Sequence, residues 1–212
     1  MKVSMSLKSN TPSILHLASK SPSRHKLLSD SQIPFAVIGQ EADEAKCDWG
    51  LPLERLVQSI ASYKMEHAIL PAGKENDICF VLTADTLSQD LDGTINGKPA
   101  DLADAIAMIK RARAGSRLAT AFCLDRKIYR NGSWNVEKRI ERCITATYIF
   151  DIPDQWIEPY INTTIALSAS NAIAIEEYGA QFLKTVDGSY STIVGLPMFE
   201  LREALEELEF FK

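Results

Sequence analysis

Apolar residues along the chain occur either in short continuous runs or at intervals of three and four positions. The runs are typical of buried strands, which are predicted at residues 14–18, 35–38, 78–83, 118–129 and 139–150. The wider spacing predicts helices at residues 22–30, 53–70, 103–114 and 197–208, and a further short helix that begins at Pro153. Residues 40–48 are polar and loop-like, and residues 173–183 fit neither pattern clearly.

Turn and capping residues separate these elements. Ser21 followed by Pro22 favours a helix start, because the serine hydroxyl caps a free N–H and proline is tolerated at the first helical position. Asp92-Gly93 and Asn131-Gly132 mark tight turns. Strands and helices interleave without a regular strand–helix–strand rhythm. We therefore expect one α/β domain over residues 1–212, built on a mixed sheet.

Charge and hydropathy exclude two classes of partner. The net charge is −5, and because a nucleic-acid backbone is bound by an excess of basic residues, nucleic acid is not expected. A small polyanionic substrate would need local cations or a metal ion. No apolar run approaches the ~18 residues that cross a bilayer, so no membrane partner is expected.

Cysteine spacing and the N-terminal composition bear on the compartment. The four cysteines lie far apart without a C-x-x-C pair, and three of them, Cys79, Cys123 and Cys143, are expected to be reduced core residues. The first 29 residues contain no Asp or Glu, as in some transit peptides, but the apolar piece at residues 14–18 is too short for a signal sequence. A cytoplasmic protein is expected.

The first candidate site is the turn from the first strand into the first helix, which reads Ser19-Lys20-Ser21-Pro22-Ser23-Arg24. Free N–H groups at a helix N-terminus attract anions, and two hydroxyls and two cations in this turn would suit a phosphate. The alternative is an ordinary capped and solvated helix start.

Asp85 and Lys98 are the next candidates. Asp85 follows the predicted strand at 78–83, and α/β folds place ligands at the carboxyl ends of strands. Its carboxylate could hold Mg²⁺ or take a proton from water, or it could be a turn residue that caps the next segment. Lys98, between Gly97 and Pro99, could bind phosphate as a point charge. The segment is not a P-loop, because Pro99 replaces the hydroxyl residue that would contact magnesium.

Carboxylates also cluster in the loop before the second helix. Asp43 and Glu44 would suit a metal ion if the fold brought them near Asp85, and otherwise they form a solvated acidic loop. Lys64 by itself would lie on a solvated helix face. The histidines lack ligand spacing and the chain lacks G-x-S-x-G, so a zinc enzyme or a triad hydrolase is not expected.

Taken together, these segments resemble the Maf family of nucleotide pyrophosphatases, from residue 14 to residue 205. The family's S-x-S-P-R-R, D-E, A-x-x-K, A-D-T, G-K-P and G-x-Y-x-x-V-G-L-P motifs appear in order as residues 19–24, Asp43-Glu44, residues 61–64, Ala84-Asp85-Thr86, Gly97-Lys98-Pro99 and residues 188–197. One motif would be weak, but six in order are specific.

The resemblance implies a mixed twisted sheet with helices on both faces and two lobes flanking a deep cleft, as in the inosine-triphosphate pyrophosphatases. It implies hydrolysis of a nucleoside triphosphate to the monophosphate and pyrophosphate with Mg²⁺ or Mn²⁺, and a homodimer is the assembly to test. By matching motif positions, Asp85 would accept a proton and bind the metal with Glu44. The residues that would hold the triphosphate are Ser19, Ser21, Arg24, Lys64 and Lys98.

Two departures from the family pattern concern the base. Ser23 replaces the first Arg of R-R, and the late A-G-x-Y-x-I-Q-G motif stands altered at residues 170–177, with Glu176 at its Gln position. Ser23, Thr86 and Glu176 are the candidate specificity residues. Because an ionised Glu only accepts, it suits the adjacent donors of guanine, whereas Gln suits uracil or thymine.

A guanine-type triphosphate is therefore expected. The family's Glu-bearing branch prefers the 7-methylated form, but Ser23 has no ring to stack on such a base. The alternative is that Glu176 faces solvent and that Glu177, or neither residue, contacts the ligand.

Two other functions fit the same residues. A non-catalytic nucleotide-binding regulator, for example of cell division, would release no pyrophosphate. A phosphohydrolase of monophosphates or sugar phosphates would release orthophosphate.

Overall fold

The structure is a computed structural model that describes residues 13–212. Its strands are β1 (Leu15–Leu17), β2 (Phe35–Val37), β3 (Ile78–Asp90), β4 (Ile95–Asn96), β5 (Ser116–Arg130), β6 (Ser133–Phe150) and β7 (Leu183–Asp187). Its α-helices are α1 (Pro22–Asp30), α2 (Leu53–Glu66), α3 (Leu102–Ala112), α4 (Asp154–Thr163), α5 (Tyr190–Val194) and α6 (Met198–Glu207). Within this range, no helix has the length and apolar character needed to cross a membrane.

Residues 1–12 lie outside the described residues. The single domain predicted over residues 1–212 includes them, and so does the acid-free stretch considered above as a transit peptide. Both therefore stay predictions.

The described strands form one mixed sheet, which confirms the predicted fold class. Its order is β2-β1-β3-β5-β6-β7, with β4 paired to the far end of β3. β1 is parallel to β2 and β3, whereas β5 is antiparallel to both of its neighbours, β3 and β6. The β5–β6 hairpin turns at Asn131-Gly132, as predicted, with both residues at positive φ.

Helices cover both faces of this sheet, because β3 and β5 present apolar side chains to each side in alternation. Leu87, Ala119 and Ala121 pack against the apolar face of α2. On the opposite face, Leu82 and Phe122 pack against α1 and α6. The continuous apolar run in the sequence thus corresponds to a strand that is buried on both faces.

Two of the apolar cores correspond to the two predicted lobes. One core joins β1 and the first part of β3 to α1 and α6, and includes Leu15 and Leu205. The other joins α3 and α4 to the parts of β5 and β6 that lie beside them, and includes Ile109 and Tyr160. The long strands β5 and β6 run through both lobes and fix their relative position.

A gap along one side of β3 creates the cleft between the lobes. β1 pairs with β3 only at residues 80–82, and β4 pairs with it only at residues 88–89. Among the described strands, residues 83–87 of β3 therefore have a partner only on the β5 side. The turns that follow β1 and β4 flank this gap, which brings segments distant in sequence to one place.

Asp85 lies inside β3, so the prediction that it follows the end of the strand is wrong. The strand continues to Asp90 because its polar side chains find partners in the buried sheet. Thr83 Oγ1 donates to the carbonyl of Ala61, and Asp85 accepts from Lys64. Apolar patterning alone ends the strand at its first polar residues and cannot detect such partners.

Other elements also depart from their predicted bounds. β6 begins at Ser133 and not at residue 139, because its polar first part pairs with β5 outside the core. α2 ends at Glu66 and not at residue 70, since Ala68 already bridges to Gln40. The ambiguous stretch at 173–183 holds a 3-10 helix (Glu177–Phe182). Apolar patterning does not predict β4, β7 or α5.

The cysteines agree in part with their predicted place in the core. All are free; Cys79 and Cys123 are buried, while Cys143 is only half-buried. Burial raises the pKa of the Cys79 thiol to about 11, so this thiol stays protonated at neutral pH.

Candidate functional site

A cavity of about 810 Å³ lies in the gap beside β3. That volume is in the range of small-molecule sites. Its lining includes all the candidate site residues except Asp43: Ser19, Ser21, Ser23, Arg24, Glu44, Lys64, Asp85, Thr86, Lys98 and Glu176. The fold therefore brings together residues that the sequence places far apart.

Inside the cavity, the ammonium group of Lys64 lies between two carboxylates. Its Nζ is 2.7 Å from Asp85 Oδ1 and 2.9 Å from Glu44 Oε1. α2 presents Lys64 to β3, and a 3-10 turn at Glu44–Lys46 places Glu44. Asp43 caps that turn by accepting from the N–H of Ala45, and its side chain is not part of the cavity lining.

The second carboxylate oxygen of Asp85 is buried. The residue is 6% exposed, and within the described residues its Oδ2 has no partner. Leaving a buried polar atom unpaired costs about 1–3 kcal/mol. Asp85, Glu44 and Lys64 together carry a charge of −1. Oδ2 is therefore suited to receive a proton or a cation.

The donors around Asp85 fit a divalent metal only when a ligand contributes to the site. Carboxylate oxygens are ligands that Mg²⁺ and Mn²⁺ prefer, and Asp85 Oδ2 and the half-buried Glu44 supply them. Among residues 13–212, no group of three or more His, Cys, Asp or Glu side chains could hold a metal ion. One or two carboxylates completed by phosphate oxygens and water is an arrangement that Mg²⁺ commonly takes.

Arg24 is a buried cation whose hydrogen-bond acceptors, in the part of the chain that the structure describes, are all neutral. Its guanidinium donates to the carbonyl of Gly195 at 2.7 Å, to Thr86 Oγ1 at 3.1 Å and to Ser19 Oγ at 3.3 Å. Desolvation lowers the pKa of Arg24, because burial disfavours the charged form. The negative charges of Asp85 and Glu44 oppose this shift. A buried charge with neutral partners is stabilised when an opposite charge arrives, so this group is suited to an anionic ligand.

The turn that leads into α1 supports both interpretations of its sequence. Ser21 Oγ accepts from the N–H of Arg24 at 3.4 Å, and Ser19 Oγ accepts from the N–H of Ser21 at 3.2 Å. Pro22 occupies the first helical position, as predicted. The helix start is thus capped, and the same turn lines the cavity.

Lys98 enters the cavity from the short turn after β4. Lys98 is exposed, but the backbone before it is held, because the carbonyl of Gly97 accepts a hydrogen bond from the N–H of Asn171 at 2.8 Å. An exposed ammonium on a backbone held in this way can approach a negatively charged group that enters the cleft.

Ser23 and Glu176 meet at another part of the cavity wall. Ser23 Oγ donates to Glu176 Oε1 at 2.7 Å. Glu176 is half-buried and lines the cavity, whereas Glu177 is exposed and does not contribute to this lining. The pair joins α1 to the segment before the last 3-10 helix, and it offers a carboxylate with one oxygen engaged.

Two further residues hold this arrangement, and sequence reasoning missed both. Gly195 supplies the carbonyl that binds Arg24, with a φ of 121° that disfavours other residues. It belongs to the V-G-L-P motif, which could have indicated it. Thr120 shares a hydrogen bond with Thr86 at 2.9 Å. Only the register of β5 against β3 places it there, so the sequence holds no signal for it.

Known proteins resemble this chain along most of its length. The family model described as Maf-like protein matches residues 14–208. A dTTP/UTP pyrophosphatase of Caldicellulosiruptor saccharolyticus is 30% identical over 92% of this chain and 94% of its own. A nucleoside triphosphate pyrophosphatase of Trichormus variabilis is 31% identical over 92% and 93%, and a dTTP/UTP pyrophosphatase of Geotalea uraniireducens is 33% identical over 91% and 93%.

Proposed function

Because the chain belongs to the Maf-like protein family, we propose that its cleft hydrolyses a nucleoside triphosphate to the monophosphate and pyrophosphate. Similar proteins that cover more than nine-tenths of its length are named for this activity. One observation carries the proposal. Within residues 13–212, a single cavity holds a buried guanidinium with neutral hydrogen-bond partners and a buried carboxylate oxygen that has no partner. The first suits phosphate, and the second suits the attacking water.

The triphosphate is held by groups from both lobes. Arg24 and Lys98 neutralise phosphate charge, and Ser19 and Ser21 contribute hydroxyls and the N–H groups at the start of α1. Lys64 has a third N–H beyond the two that its carboxylate partners use, and this donor is free to reach a phosphate oxygen. Phosphoryl transfer depends mainly on such positioning and charge neutralisation.

Asp85 accepts the proton of the attacking water at Oδ2. Water adds to the α-phosphorus, the bond from that phosphorus to the bridging oxygen breaks, and pyrophosphate leaves with the electron pair. Lys64 fixes the carboxylate through Oδ1, so that Oδ2 stays directed at the water. A divalent cation held by Asp85 and Glu44 would screen the phosphate charge and orient the leaving group.

Product analysis tests the proposal. The purified chain is incubated with common and modified triphosphates and Mg²⁺ or Mn²⁺, and monophosphate, pyrophosphate and orthophosphate are measured separately. Equal amounts of monophosphate and pyrophosphate are expected. Nucleotide binding without pyrophosphate would support a non-catalytic regulator, and release of orthophosphate alone would support a different phosphohydrolase.

For the base, we propose a guanine-type triphosphate. Glu176 lines the cavity and presents only acceptors, which suit the adjacent N–H and NH₂ donors of guanine. Ser23 engages one of its oxygens and keeps the carboxylate in place. The relatives named as dTTP/UTP pyrophosphatases set the opposite expectation, so the base is the discriminating measurement.

Competition among GTP, 7-methyl-GTP, UTP and dTTP measures this preference. Glu176→Gln should shift it toward UTP and dTTP, because an amide both donates and accepts. Glu177→Gln is the matched control, since Glu177 is exposed and outside this lining. A native preference for UTP or dTTP, or an unchanged preference in the Glu176 variant, would refute the guanine assignment and leave the hydrolysis proposal intact.

We also propose a cytoplasmic location and a homodimer. Free cysteines, two of them buried, support the location. Sedimentation of the purified chain tests the assembly.

A further inference from the structure

A buried polar cluster lies behind the turn that carries Lys98. Asp90, whose side chain is 4% exposed, receives hydrogen bonds through both carboxylate oxygens. Its Oδ2 accepts from Asn96 Nδ2 at 2.9 Å and from Arg111 Nε at 2.8 Å. Its Oδ1 accepts from Ser116 Oγ at 3.1 Å and from Asn171 Nδ2 at 3.3 Å. One carboxylate thus joins β3, β4, α3, β5 and the segment around Asn171.

The segment around Asn171 also hydrogen-bonds to the backbone on the N-terminal side of Lys98. The N–H of Asn171 donates to the carbonyl of Gly97 at 2.8 Å. Ser170 Oγ donates to the carbonyl of Asn96 at 3.0 Å. Both peptide groups that lead into Lys98 are therefore bonded to one segment, and Ser170 also lines the cavity.

Asn171 is fixed in an uncommon conformation. It is fully buried with φ 56°, a left-handed backbone that asparagine tolerates better than most residues. Its Nδ2 also lies 3.4 Å from Ser116 Oγ and 3.4 Å from Tyr148 Oη, while its Oδ1 has no partner within the described residues. A buried amide that is only partly satisfied costs free energy, so the bonds to Asp90 and to the backbone of Gly97 must hold it in place.

We propose that Asn171, anchored by Asp90, is a positioning residue that holds the 96–98 backbone so that Lys98 meets the phosphates of the substrate. The inference rests on the proposed function. This role of Asn171 differs from a purely structural one, because its effect on the substrate is transmitted through the Lys98 ammonium. That dependence can be measured.

Asn171→Gly is the central variant. Glycine adopts φ 56° without strain, so the local backbone conformation is kept, while the amide that reaches Asp90 is removed. Asn131→Gly is the matched control, because Asn131 has φ 54°, is exposed and lies in the remote β5–β6 turn. Asp90→Asn is a second variant, which weakens the same anchor from its other end.

A double-mutant cycle with Lys98→Ala tests the transmission. In the native background, Asn171→Gly should raise KM for the triphosphate and the dissociation constant of inorganic pyrophosphate with Mg²⁺ by about fivefold or more, equivalent to about 1 kcal/mol. In the Lys98→Ala background, the same change should alter both constants by less than about twofold, since interacting residues are not additive. Asn131→Gly should alter neither constant.

Amide hydrogen exchange provides a readout that does not depend on catalysis. Asn171→Gly and Asp90→Asn should speed exchange at residues 96–98 and leave α2 unchanged. Unchanged exchange at 96–98, or equal losses in both backgrounds of the cycle, would overturn the inference. Absence of pyrophosphate release by the native chain would instead overturn the proposed function, and hydrogen exchange would still decide whether Asn171 orders the turn.

Discussion

Two buried charged side chains line the cleft at the scale of single residues. Among residues 13–212, Asp85 has an oxygen without a partner, and the hydrogen-bond acceptors of Arg24 are all neutral. Each is costly in isolation, since buried polar groups are normally satisfied. Such exceptions mark functional sites, because a substrate that carries phosphates and a water molecule would satisfy both.

Asp85→Asn should nearly abolish turnover and leave the fold intact. The change keeps the shape of the side chain, and the amide oxygen can still accept from Lys64, but charge and basicity are lost. Turnover is measured by pyrophosphate release and folding by circular dichroism. The control is Asp30→Asn, at an exposed ion pair on α1. A variant that kept more than about a tenth of the activity, a barrier change under ~1.4 kcal/mol, would show that Asp85 is not the key carboxylate.

Arg24→Ala and Lys98→Ala should each weaken substrate binding or rate by at least ~1.5 kcal/mol, the scale of charge-assisted hydrogen bonds. Lys110→Ala should do little, because Lys110 lies on the exposed side of α3, 3.7 Å from Asp154. Steady-state kinetics of the three variants provides the comparison. Similar losses in all three would indicate a general effect of charge and no specific phosphate site.

At the scale of elements, the site depends on strands of unequal length. β3 spans Ile78–Asp90, whereas β1 and β4 are short and pair with its two ends. The uncovered stretch at 83–87 presents Asp85 toward α2 and Thr86 toward Arg24, because successive side chains point to opposite faces. A longer β1 would close the gap and remove the cleft.

The segment that carries Glu176 is held by close backbone packing. Tyr160 Oη accepts from the N–H of Ala174 at 2.6 Å and lies 3.0 Å from the carbonyl of Ala172. A Cβ at Gly179 would overlap the carbonyl oxygen of Ala174. The position therefore requires glycine for space, without any unusual φ.

Gly179→Ala should lower stability by about 2 kcal/mol, as overpacking of a filled site does. For a chain of this size, that corresponds to a decrease in Tm of about 4–8 °C. Base discrimination should weaken as well, because the displaced segment leads into Glu176. Calorimetry and the nucleotide competition assay measure the two effects. Gly50→Ala, at an exposed loop position, is the control and should leave both unchanged.

At the scale of the whole molecule, the ligand joins two lobes with separate cores. Arg24 belongs to the lobe of α1 and α6, while Lys98 is tied to the segment around Asn171 in the other lobe. A ligand that binds only the folded state stabilises it by RT ln(1 + L/Kd), where L is the free ligand concentration, so the stabilisation grows with the logarithm of ligand concentration.

A non-hydrolysable GTP analogue with Mg²⁺ at a hundred times its dissociation constant should stabilise the chain by about 2.7 kcal/mol. The expected rise in Tm is about 5–11 °C. At the same analogue concentration, Arg24→Ala should show a much smaller rise, since it loses the buried cation. A rise equal to that of the native chain would place the analogue outside this cleft.

Patterning predicted the mixed α/β class, the strands of the core and the start of α1 at Ser21-Pro22, because these depend on local spacing and capping. The motifs singled out ten of the residues that line the cavity, and the roles assigned to them stay predictions. Patterning misplaced Asp85 beyond a strand end, since it cannot detect the Lys64 ammonium that allows a carboxylate inside a buried strand.

The sequence by itself thus determined which segments can form strands and helices and which residues are candidates for the site. Tertiary structure alone decided how those segments meet. It created the gap beside β3 and set the register that places Thr120 against Thr86. It also brought together residues that are distant in the chain, in the hydrogen bond from Arg24 to Gly195 and in the Asp90–Asn171 cluster. Such contacts depend on how the whole chain packs and not on local propensity, so no spacing pattern carries them.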